Sequence, residues 1–166
     1  MSLAEVPAFA VFVENPAGAR TKHIYDEKRL VLRGTKQVSR PYPFPYGFIV
    51  GTTAPDGDSV DCFIITGRPL ATGALVDCGV WGLMEQSEDG IIDHNVLVVP
   101  RGEAFDFNDA RRRALVEFVE HVFDGEPDKR VTAGRFLDAT AARAYIAEHQ
   151  PGRPLQPERK DEGVRP

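Results

Sequence analysis

From residue 9 to residue 99 the chain is a series of short apolar segments, broken every few residues by Gly, Pro or Asp. Residues 9–14, 24–25, 30–32, 47–53, 60–66, 74–84 and 93–99 read as strands, with turn chemistry between them. No helical periodicity separates them. Parallel strands need long, usually helical, crossovers, so this order favours an antiparallel barrel over a parallel α/β sheet. The segment Pro41-Tyr42-Pro43-Phe44-Pro45-Tyr46 cannot be a central strand, because proline has no ladder N–H to donate.

Helical patterning comes late. Asn108 is placed to cap a helix over 109–123, in which Ala114, Leu115, Phe118, Val119 and Val122 form one apolar face, and Gly125 is a suitable stop. Asp138 can cap a second helix through His149, with Ala142, Tyr145, Ile146 and His149 on one side. The expectation is a mainly β (α+β) domain over 1–150. Residues 151–166, rich in Pro, Gly and charge, form a disordered tail.

A net charge of −5 gives no support for a nucleic-acid footprint. Arg111-Arg112-Arg113 is consecutive, so on a helix its side chains fan around the axis rather than forming a stripe. Cys62 and Cys78 fit no zinc or redox spacing and lie in apolar runs, where they read as buried thiols; Trp81 reads as core. No run approaches about 18 apolar residues and the start lacks a signal-peptide pattern, so the expectation is a cytoplasmic chain with no membrane partner.

Function is most legible in Asp56-Gly57-Asp58-Ser59-Val60-Asp61, three carboxylates in six residues with no Lys or Arg among them. Carboxylates this close raise one another's pKa unless a positive charge intervenes, and a divalent metal is the economical counter-ion. An EF-hand loop is excluded, because Val60 and Asp61 occupy its fifth and sixth positions. A haloacid-dehalogenase-type nucleophile would follow a hydrophobic strand, whereas here the strand Cys62-Phe63-Ile64-Ile65 comes after the motif. A second acidic group, Glu88-Asp89 and Asp93, precedes another strand, so the two groups can meet at strand ends in the mouth of the barrel. Lys22, Arg33, Lys36, Arg40, Tyr42 and Tyr46 lie upstream. Carboxylates for metals, with Lys, Arg and Tyr for oxyanions, are the inventory of phosphoryl transfer.

Glu14-Asn15-Pro16, Lys22, Tyr42 through Ile49, Asp56 through Asp61, Asp93, Val96, Pro100 and Phe118-Val119-Glu120-His121 together resemble the soluble family I inorganic pyrophosphatases. The resemblance spans about residues 9–126 and agrees in the order and spacing of several motifs. It implies a five-stranded OB-like closed β-barrel with two C-terminal helices beside it, and hydrolysis of diphosphate to two phosphates. It implies Mg²⁺, with Mn²⁺ as the alternative, on Asp56, Asp61, Glu88 and Asp93, and Asp58 as general base. By the same resemblance Lys22, Arg33 and Tyr46 hold phosphate oxygens, Glu14 and Tyr42 support the site, and the chain is a homo-oligomer. Lys36 or Arg40 is the alternative to Arg33, since the loop before Tyr42 is one residue longer than in the family.

The departures fall on the side that grips phosphate. Family lysines are replaced by Asn95 and Phe123, a family tyrosine by Val122, and a family glutamate by Ile24. Two uncompensated charge-assisted hydrogen bonds would cost about 3–6 kcal/mol. Arg40, Lys129 and Arg130 are the candidates to compensate. A relative that binds metal without turnover, or one that cleaves another phosphoanhydride such as a nucleotide, is the competing expectation.

Overall fold

The computed structural model describes residues 8–104 and 106–150; the expected disordered tail lies outside them. Strand β1 (Phe9–Asn15) pairs antiparallel with β4 (Tyr46–Ile49), and β4 with β5 (Asp61–Ile64). Next to β5, in parallel, lies β8 (Asn95–Pro100), which pairs antiparallel with β6 (Leu75–Glu88). β6 returns to β1, closing a five-stranded barrel. Closure removes the unpaired edges that an open sheet would present. Beside the barrel, β2 (Thr21–Asp26) and β3 (Val31–Gln37) form a separate antiparallel hairpin.

Side-chain alternation sorts the apolar residues into two cores. Val11, Val13, Ile49, Cys62, Ile64, Cys78, Leu83, Val96 and Val98 come from all five strands and fill the barrel, and Ala142, Tyr145 and Ile146 of α2 (Ala139–Glu148) pack on the same cluster. The intervening residues Phe63, Met84 and Leu97 face outward. They pack against Leu115, Phe118 and Val119 of α1 (Asp109–His121), together with Tyr42, Phe44 and Val122. Both expected caps form: Asn108 accepts the Arg111 N–H at 3.0 Å and Asp138 the Ala141 N–H at 3.0 Å. Gly47 is required where β1 and β4 meet, because a Cβ there would sit 1.9 Å from the Phe12 carbonyl oxygen.

The expected mainly β barrel with two late helices is therefore present, but it is not antiparallel throughout, since β5 and β8 run parallel, and it differs in four further respects. β6 runs to Glu88 rather than Met84, because its far half leaves the barrel and pairs with β7 (Ile91–Ile92) and with β9 (Val131–Asp138). β9 was not anticipated: Gly134 and Arg135 interrupt its apolar pattern, and pairing with β6 decides its conformation. Trp81, expected in the core, is 37% exposed and meets Phe107 edge-on at 5.1 Å, because it sits at the β6 register shift between Val80 and Gly82. Helix α1 ends two residues early, with Val122 as its C-cap.

Candidate active site

The outward face of the barrel wall, not its mouth, gathers the charged residues. Glu14 of β1, Tyr46 of β4 and Asp61 of β5 line one cleft of about 180 Å³ with Asp93, just before β8. This corrects the strand-mouth placement, and alternation explains it: Val13, Cys62 and Val96 take the inward positions, leaving the polar neighbours outside. The hairpin brings Lys22 to the same cleft, the end of β6 brings Glu88, and the segment after α1 brings Phe123 and Lys129.

The acidic loop is held by its own backbone. Asp56 Oδ1 accepts the Asp58 N–H at 3.0 Å, the Asp58 carbonyl accepts from Ala54 N–H at 2.6 Å, and Val60 N–H donates to Thr52 Oγ1 at 2.8 Å. Gly57 takes φ of 90°, which a residue with a Cβ rarely adopts. Asp56 and Asp58 are therefore exposed at the tip of a fixed turn, while Asp61 begins the adjoining strand.

Seven carboxylates line the cleft, from Glu14, Glu27, Asp56, Asp58, Asp61, Glu88 and Asp93, against the two lysines Lys22 and Lys129. Burial and mutual repulsion raise the pKa of five of them, Glu14, Glu27, Asp58, Asp61 and Asp93. Burial, then the neighbouring Glu27, pushes Glu14 up to about 8. Burial, then Asp56 and Glu88, pushes Asp93 up to about 7. Asp61 is held well above the usual carboxylate range by burial and by Asp93, Glu14 and Glu27, and Asp58 is raised by burial and Asp56. Burial also raises Tyr42 and Tyr46, so both stay protonated donors at neutral pH. Their rings lie 5.5 Å apart, with Tyr42 also 4.6 Å from Phe118.

Two observations fit a cation. Asp93 Oδ1 is buried with no hydrogen-bond partner among the described residues. Oxygens of Glu14, Glu27 and Asp61 all lie within 4.8 Å of one another. An all-oxygen, carboxylate-rich donor set suits a hard divalent ion.

Of the residues singled out in the sequence, Glu14, Lys22, Tyr42, Tyr46, Asp56, Asp58, Asp61, Glu88 and Asp93 converge here. Arg33 does not. It is among the solvent-exposed residues of β3, with Asp26 at 3.9 Å, at the register shift that leaves it without a partner on β2, while Lys36 stands opposite Lys22. Arg40 is also elsewhere, pairing with Glu117 at 3.2 Å and Asp124 at 3.8 Å. Glu27 was missed. It sits on the hairpin turn and accepts the Ser59 N–H at 2.6 Å, a contact between segments that no local pattern announces. It brings a further carboxylate to the cleft, while Ile24 is exposed on β2.

The family model described as inorganic pyrophosphatase matches residues 11–151. An inorganic pyrophosphatase of Sulfolobus acidocaldarius is 32% identical over 148 residues, covering 82% of this chain and 86% of its own. One from Halalkalibacterium halodurans is 30% identical over 154 residues, covering 87% and 94%. Among solved structures, the inorganic pyrophosphatase of Coxiella burnetii superposes with a TM-score of 0.79 at 28% identity, over 87% of this chain and 94% of that one.

Proposed function

Because the chain belongs to the inorganic pyrophosphatase family, we propose that the cleft hydrolyses diphosphate to two phosphates with Mg²⁺ as its cation. Asp56, Asp61, Glu88 and Asp93 would hold the ions, and Glu14 and Glu27 add negative charge around them. When bound, the divalent cations neutralise the crowded carboxylates and lower a water's pKa to about 7. Asp58, exposed on its fixed turn, takes the proton from the attacking water. Lys22 and the protonated Tyr46 donate to phosphate oxygens, while Tyr42 packs against Tyr46 and Phe118 and steadies it. Arg33 lies outside the cleft lining, beside Asp26.

The observation that supports the reading most is the concentration of seven carboxylates around two lysines, with a buried Asp93 oxygen unpartnered among the described residues. The test is phosphate release from diphosphate, with and without Mg²⁺, for the wild type and Asp58→Asn. Hydrolysis should require the metal and fall by about 10²–10⁴-fold in the variant, the usual contribution of a positioned general base. Metal binding without phosphate release from the wild type would contradict the reading. The same reading extends to a cytoplasmic homo-oligomer: Leu75, Ile91 and Ile92 are exposed apolar residues available to an interface, and sedimentation velocity measures the assembly.

A further inference from the structure

Position 95 holds a neutral amide that donates to Gln86 Oε1 at 2.6 Å, and position 123 holds a phenyl ring. The ring does not leave that corner without charge. Lys129 Nζ lies 4.5 Å from the Phe123 centroid, Lys36 Nζ 4.8 Å and Lys22 Nζ 5.2 Å. A ring face attracts each ammonium, but three ammonium groups gathered around one ring repel one another. Their convergence beside a cleft is the pattern of an anion site. Lys36 is neutralised by Glu126 at 2.7 Å, outside the cleft. Lys129 is different: it lines the cleft, and its partner at 2.7 Å is Glu88.

The backbone fixes where Lys129 stands. Asp89 and Gly90 form a tight turn with φ of 53° and 85°, linking β6 to β7. From that turn Asp89 N–H donates to the Arg130 carbonyl at 2.8 Å, and Asp89 Oδ1 accepts the Arg130 N–H at 2.9 Å. Lys129 N–H donates to the Glu126 carbonyl at 3.0 Å. The segment is thus bonded on both sides of the lysine, so a flexible side chain starts from a fixed point facing Glu88.

We propose that Lys129 is a substrate-binding residue of this cleft, supplying to the phosphate the positive charge that positions 95 and 123 lack, with Glu88 holding it until a divalent cation takes that carboxylate. The inference rests on the diphosphatase reading above. A lysine suits the role because its ammonium is a compact charge on a flexible stem that can turn from a carboxylate to a phosphate oxygen.

Calorimetric titration with imidodiphosphate, a diphosphate that resists hydrolysis, tests this in Mg²⁺ on the wild type, Lys129→Met and Lys129→Arg. Lys129→Met should weaken the analogue about ten- to hundredfold, the worth of one charge-assisted hydrogen bond. Lys129→Arg should recover most of that. Titration with Mg²⁺ alone should show no weakening in Lys129→Met, since Glu88 loses its competitor. In turnover, KM for diphosphate should rise more than kcat falls. Unchanged analogue affinity in Lys129→Met, or an equal loss in Lys129→Arg, overturns the inference while wild-type turnover still upholds the diphosphatase reading. A wild type that binds Mg²⁺ but neither binds the analogue nor releases phosphate overturns both.

Discussion

Glu14 and Asp93 set the pH behaviour of the metal-free protein. Both have folded-state pKa values raised above the ordinary carboxylate range, to about 8 and about 7, chiefly by burial. A raised acid keeps its proton in the folded state while the unfolded chain has already released it. Stability therefore falls as pH rises from the unfolded value toward the folded one, and levels off above it. Without metal, the thermal midpoint should decline between pH 5 and pH 8, and saturating Mg²⁺ should flatten that decline. A metal-free midpoint that climbs across this range would contradict the charge-crowded cleft. The Asp56–Asp61 cluster was legible because its charges are adjacent in the chain, whereas Glu27 reaches the site through a bond to Ser59, 32 positions away.

Two elements decide whether that cleft exists at all. The β1–β4 pair brings Glu14 and Tyr46 together, and it depends on Gly47 lying against the Phe12 carbonyl. Gly47→Ala should destabilise the protein by about 3 kcal/mol or more, the upper end of overpacking costs, with activity lost in step with folding. Urea unfolding followed by circular dichroism measures it; a neutral result would mean that the strand pair separates without penalty. The far half of β6 is the second. By outrunning the barrel it presents Glu88 and anchors β9, with Arg135 bidentate to Glu85 at 2.8 and 2.9 Å. A continuous apolar-polar alternation marks a strand but not where it leaves one partner for another. Hence β6 was read short and β9 was not read at all.

Over the whole molecule, metal binding and folding should be linked. An ion that binds only the folded cleft stabilises it by about 2.7 kcal/mol at a hundred times its dissociation constant. For a domain of this size that corresponds to a rise of about 5–11 °C in Tm. Scanning calorimetry across a Mg²⁺ titration should show this rise, and Asp93→Asn, which removes a buried carboxylate, should raise the metal-free Tm while shrinking the Mg²⁺ response. An equal Mg²⁺ response in the variant would separate Asp93 from the ion. The two cores make such linkage reasonable: the cleft lies where the outer face of the barrel wall meets the α1 layer, so charge strain there is felt by both.

Segment lengths, turn residues and local charge are short-range quantities, and they sufficed for a barrel-then-helices order, both helix caps, the buried cysteines and the acidic loop. Which face of the wall holds the site, which basic residues reach it and how β6 divides its partners are set by contacts between residues far apart in the chain. Arg33 and Lys36 show the difference: both are cations on one short strand, and only the pairing of β3 with β2 turns Lys36 toward Phe123 and leaves Arg33 in solvent.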